Sequence, residues 1–128
     1  MQSVALFMWR EAVAQGVKLE LANEPGVAPL YEPDYSRAFE TVRGHAVKAA
    51  IIEAAERGAY GMAYCLGVCA QLKREAPACN LLLMCPGQDS EAVRLAVRAK
   101  QDNVVDEFVF SEASIGYITS MLLCLVAA

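Results

Sequence analysis

The sequence predicts an α/β fold: a five-stranded parallel sheet in the order 2-1-3-4-5 between two helical layers, a three-layer α/β/α sandwich. Three observations carry this. Short apolar runs alternate with segments whose apolar positions recur at helical spacing, the sign of βα units with right-handed crossovers. The strand-like runs are apolar throughout rather than at every second residue, as expected of strands covered on both faces. The second strand contains Pro29, which cannot donate to a ladder and so belongs at a sheet edge.

The elements follow in order. SVALFM (3–8) is a short apolar run and reads as the first strand. From Trp9 to about Ala22 the apolar residues Trp9, Val13, Val17 and Leu21 recur every fourth position, one helix face. Pro25 and Gly26 end that helix, and VAPLY (27–31) is the second strand. PDYSRAFETVRG (33–44) opens with Pro-Asp and closes with Gly, the punctuation of a helix.

VKAAIIEAAERG (47–58) is the decisive stretch. Alanine and glutamate favour a helix by propensity. A helix there would be apolar on every side from Ala49 to Ile52, with no polar stripe. A doubly covered strand over about 47–53 fits better, and it delivers Glu53 to the carboxyl edge of the sheet. Next come a helix over 60–77 with Met62, Cys65, Cys69 and Leu72 on its inner face, and the strand CNLLLMC (79–85). A turn and a helix follow in PGQDSEAVRLAVRAK, with Asp89 or Ser90 near the cap. VVDEFVF (104–110) is the fifth strand. A last helix over 111–126, opened by Ser111, carries Ile115, Ile118, Leu122 and Leu125 inward and Tyr117, Met121, Cys124 and Val126 outward.

Composition limits the function. The chain has 128 residues, suited to one domain over 1–128, and a formal net charge of −4. No basic face is available to neutralise phosphates, so nucleic acid is not the expected partner. No apolar run is long enough for a bilayer span and no signal-peptide pattern opens the chain. The five cysteines are odd in number and partly set in apolar runs, which points to reduced thiols and a cytoplasmic protein rather than a disulfide framework.

Ligands of open α/β sheets bind beyond the carboxyl ends of the strands, where strand order reverses. That rule selects Met8 and Trp9 after the first strand, Glu53 after the third, Cys85, Pro86 and Gly87 after the fourth and Ser111 after the fifth. Cys65 and Cys69 lie one turn apart but lack a second ligand pair and read as buried core. Cys85 precedes a helix N-terminus, which would favour a reactive thiolate and a thiol-dependent enzyme. Against that stand the absence of a redox-spaced partner and of a glycine-rich cradle. His45 reads as a loop or cap residue.

In layout, the whole chain resembles a response-regulator receiver domain, of flavodoxin-like fold. The likeness is best in EAPACNLLLMCPGQDSEAVRLAVRAK and DEFVFSEASIGYITSMLLCL, similar to that family's fourth and fifth strand–helix units. The resemblance implies an acidic pair after the first strand, where Met8 and Trp9 stand, and an acceptor aspartate ending the third, where Glu53 stands. It further implies Thr or Ser after the fourth strand, where Met84 or Cys85 stands, and lysine after the fifth, where Ser111 stands. Magnesium prefers oxygen ligands, which a thioether and an indole do not supply. Without metal and lysine, charge on a transferred phosphoryl group has no stabiliser. The expectation is therefore a pseudo-receiver without metal or cofactor. Glu53 either imitates a phosphorylated aspartate or is simply tolerated at an open strand end. The apolar outer side of the last two helices, with the strand between them, suggests a protein partner or homodimer through Leu95, Ala99, Phe108, Tyr117, Met121 and Cys124. A small-molecule-binding flavodoxin-like domain is the alternative, supported if an apolar-lined crevice surrounds Trp9, Glu53 and Cys85.

Overall fold

Continuous apolar strands need cover on both faces, and the computed structural model, which describes residues 1–128, supplies it. The elements run β1 (Gln2–Phe7), α1 (Glu11–Leu21), β2 (Val27–Tyr31), a 3-10 turn (Tyr35–Arg37), α2 (Ala38–Gly44), β3 (Ala49–Glu53), α3 (Met62–Glu75), β4 (Asn80–Cys85), α4 (Ser90–Gln101), β5 (Glu107–Phe110) and α5 (Ile115–Ala127). The five strands form one sheet in the order β2-β1-β3-β4-β5, every pair parallel. Fold class, strand order and the edge position of Pro29 agree with the sequence reading.

Alternation within each strand divides two cores. Ala50, Ile52, Leu81, Leu83 and Cys85 face α2, α3 and α4, beside Cys65, Cys69, Leu72 and Ala96. Ala49, Ile51, Leu82 and Met84 face α1 and α5, beside Ala14, Val17, Ile118 and Leu122. This segment, whose Ala and Glu favour a helix, is therefore a strand because each of its side chains is buried. All five β3 residues are buried.

Local boundaries differ from the sequence reading for identifiable reasons. Trp9 is not on the helix. It is 47 % exposed, α1 starts at Glu11, and Arg10 before it has extended backbone, so the inner stripe is Ala14, Val17 and Leu21. The last helix opens not at Ser111 but after Ser114, whose hydroxyl accepts from Tyr117 N at 3.1 Å. Ser111 instead prolongs the sheet edge, its N–H donating to Cys85 O at 2.9 Å. The fifth strand spans only Glu107–Phe110: Asn103 turns the chain with φ of 59°, and at Asp106 the side-chain carboxylate, which also pairs with Lys73, takes the Leu81 N–H of β4. Val126 is buried rather than on the outer side of α5. His45 is the C-cap of α2.

The cap assignment can be tested directly. Ser114→Ala is expected to lower unfolding free energy by about 1 kcal/mol in urea denaturation. Ser111→Ala is expected to change it by less than ~0.5 kcal/mol. The reverse order would restore the earlier helix start.

Candidate functional site

Glu53 ends the central strand with no exposed surface, so its carboxylate must be met inside the protein. It is met from the turn after β1. Oε1 accepts from Trp9 N at 3.0 Å and Arg10 N at 3.2 Å, and Oε2 pairs with Arg10 Nε. Helix α1 has no side-chain cap of its own, so a glutamate from another strand supplies the anion its N-terminal end favours. The Glu53 carbonyl is held too, accepting from the buried Tyr35 hydroxyl at 2.6 Å. Tyr35 stacks on Tyr60 with ring centroids 3.8 Å apart, and its N–H reaches the Tyr60 hydroxyl at 3.3 Å. Burial and the nearby anionic groups raise the Tyr35 hydroxyl's pKa far above its ordinary value, which keeps it a donor. The β3–α3 loop closes with Ala55 N donating to Tyr60 O at 2.8 Å.

Beside this bonded group lies a cavity of about 350 Å³, lined by Trp9, Arg10, Ala54, Ala55, Glu56, Arg57, Pro86, Ser111 and Glu112. Four loops build it, those following β1, β3, β4 and β5, at the edge where the strand order reverses. One wall depends on a glycine. Gly87 N donates to Glu112 Oε1 at 2.8 Å, and a Cβ there would stand 2.7 Å from that oxygen and 2.9 Å from Phe110 Cγ.

Of the residues selected from sequence, Trp9 and Ser111 line this cavity. Glu53 sits behind Arg10 rather than in the open. Met8, Met84 and Cys85 are wholly buried and face the two cores, because the end of β4 and the residue just after β1 are still under helix cover. The expected crevice at Trp9 exists, but Glu53 and Cys85 are not in its lining. Sequence reasoning missed Arg10, Arg57 and Glu112. An arginine immediately before α1 can partner a buried carboxylate, but only the fold brings it to Glu53.

The donor set does not fit magnesium. Met8 is core, Trp9 is an indole, Glu53 is already occupied, and no group of three His, Cys, Asp or Glu is arranged to hold a metal ion. Nor does it fit thiol chemistry, which corrects the enzyme alternative. Burial, with Glu112 and Asp89 nearby, pushes the Cys85 thiol up to about 11, so it is protonated and shielded at neutral pH. Cys65 and Cys79 are pushed up to about 12 by burial. The helix N-terminus expected to activate Cys85 does not offset its burial.

The outer surface also needed correction. Ala99 is buried, and Leu95 lines a crevice between α3 and α4 with Leu66 and Arg98. These two residues face α3 rather than the β5–α5 side. Phe108 and Tyr117 do meet, with Phe110 and Ala113, around an apolar groove of about 210 Å³. Met121 packs partly against the α1–α5 core, and Cys124 is exposed.

No family model matches the sequence, and no curated protein matches it. Solved structures do. A response regulator from Thermotoga maritima superposes with a TM-score of 0.79 at 12 % identity, over 100 % of this chain and 99 % of that one. A CheY-like protein, TadZ, from Pseudomonas aeruginosa gives 0.71 at 16 % identity, over 98 % and 99 %. An adenylate cyclase from Rhodopirellula baltica gives 0.78 at 13 % identity, over 98 % and 87 %. At such identities the likeness establishes the receiver-type fold.

Two expectations follow. Arg10→Met leaves Glu53 buried without its cation. It should cost on the order of 3 kcal/mol in urea denaturation, the low end for a buried pair because the Arg10 side chain remains 32 % exposed. Adding Glu53→Gln should recover part of that loss; an Arg10→Met protein as stable as wild type would contradict the pairing. A thiol reagent should modify only Cys124 quickly in the folded protein and all five cysteines once unfolded. Rapid native modification of Cys85 would contradict its burial.

Proposed function

We propose that this chain is a receiver-like signalling domain of the bacterial cytoplasm, 1–128 forming one domain, that acts by protein contact without aspartate phosphorylation. The observation that carries this reading is the state of Glu53. Its Oε1 accepts from both Trp9 N and Arg10 N and its Oε2 pairs with Arg10 Nε, so the buried carboxylate is engaged within the protein rather than presented to a metal or a phosphoryl group. Arg10 is a tethered cation where a receiver's chemistry calls for a diffusible one. It binds the β1–α1 turn to the centre of the sheet permanently. Glu53 makes no hydrogen bond to Ser111, so it does not reach toward β5 as a phosphorylated side chain would. A fixed conformation is the consequence, rather than a mimicked phosphorylation.

The contact surface in this reading is the β5–α5 groove. Phe110 is 41 % exposed and Tyr117 is 55 % exposed, adjacent on an edge strand and the start of a helix. Aromatic pairs in a partly formed apolar groove are the side chains most enriched at interface centres. A homodimer or a protein partner through this face fits the structure better than nucleic acid, given the net charge of −4. No helix is long and apolar enough to cross a membrane. The domain has no enzymatic role in this reading.

Incubation with a small phosphodonor and magnesium should leave the intact mass unchanged. A phosphoryl adduct on Glu53 would overturn the proposal. In sedimentation, Tyr117→Lys should shift a wild-type dimer to monomer. If the wild type is already monomeric, the same variant should lose a partner that the wild type captures, and an unchanged interaction would remove the groove from the account.

A further inference from the structure

The cavity beside Arg10 carries charges that the protein leaves unmatched. Arg57 makes no ion pair and Glu56 makes neither an ion pair nor a side-chain hydrogen bond. Glu112 spends Oε1 on Gly87 N and has nothing on its second oxygen. The Ser111 hydroxyl is unpaired. Arg10 uses only Nε, and its Nη2 is buried without an acceptor. These groups come from three loops around one space with Ala54, Ala55, Pro86 and the Trp9 ring as apolar wall.

We propose that this cavity binds a small zwitterion of amino-acid size, its oxyanion on Arg57 beside the Arg10 side chain that lines the wall and its ammonium on Glu112 and Glu56. Charge selects this class. Arg10 is already balanced by Glu53, which leaves one cation, Arg57, against two anions, Glu56 and Glu112. A dianion such as a phosphate monoester would meet both carboxylates unfavourably. A simple amine would leave the guanidinium donors unmet. A molecule with one group of each sign satisfies both sets, and charge-assisted hydrogen bonds of this kind are the strong ones. The volume of about 350 Å³ lies at the small end of ligand pockets, which suits a molecule of this size and excludes a dinucleotide. The apolar wall accommodates an aliphatic or aromatic side group against Trp9. The site goes beyond the signalling proposal and stands or falls independently of it, because it involves neither Glu53 phosphorylation nor the β5–α5 groove. Arg10 belongs both to the cavity wall and to the Glu53 pair, so occupancy bears on the start of α1.

Trp9 is the only tryptophan of the chain, so its fluorescence reads this cavity alone. The wild-type protein is titrated separately with each common amino acid, with acetate, inorganic phosphate and ethylamine as single-charge controls. At least one amino acid should give a saturable change with a dissociation constant below about 1 mM. The controls should give none in that range. Arg57→Ala and Glu112→Gln, both at exposed positions, should each weaken the response about tenfold or more, the loss of one charged hydrogen bond. Arg94→Ala, remote on α4, should leave it unchanged. A flat titration with every amino acid overturns the proposal. So does phosphate or acetate binding as tightly as any amino acid, or a response indifferent to both cavity variants.

Discussion

One buried carboxylate organises this molecule. Glu53 is brought by the central strand to the edge where strand order reverses, and it is wholly withdrawn from solvent. A carboxylate there is tolerable only if paired and hydrogen-bonded. The turn after β1 meets that requirement with two backbone N–H groups and the Arg10 guanidinium. The same contacts start α1, fix the exposed position of Trp9 and close off the strand end to solvent ions. Tyr35 clasps the other side of the same residue, through its carbonyl, and ties it to the Tyr60 stack.

The fold was legible because its signals are redundant. A run such as AAIIE has no polar stripe, so only burial on two faces accommodates it, and β4 repeats the pattern in NLLLMC. Pro29 placed β2 at an edge, which matches the observed order β2-β1-β3-β4-β5. Element ends were less legible. Ser111 and Ser114 are equally good caps by residue type, and the choice between them was made by the Ser111 N–H bond to Cys85, a pairing between β4 and the end of β5. Trp9 fell in helical register with Val13 yet lies outside the helix, because the chain is extended at Arg10, where both amides of the turn are held by Glu53.

The candidate site was legible by position and not by content. The rule for parallel sheets pointed to the edge where the cavity lies, and Trp9 and Ser111 line it with Glu53 behind. It could not rank which neighbouring side chains point into the opening. Strand alternation sends Met84 and Cys85 to opposite cores, so the residues flanking Glu53 are packing groups, while Arg57 and Glu112 arrive from loops whose course the sequence does not specify. Arg10 beside Glu53 supplies a cation that is covalently part of the chain at this strand end. Interface reasoning failed in the same way at Ala99, where a small apolar residue on an amphipathic helix is core against α3 rather than surface.

The most direct measurement is residue-resolved amide hydrogen exchange at Trp9 and Arg10, in the free protein and with magnesium and beryllofluoride. Both amides sit in a turn that would otherwise exchange as freely as open loop. If Glu53 holds them, they are strongly protected, and the added ions leave that protection unchanged. Exchange at the rate of an unstructured peptide, or protection that shifts when the ions are added, would mean that the carboxylate is available to ligands and that the fixed turn is not the basis of this fold's behaviour.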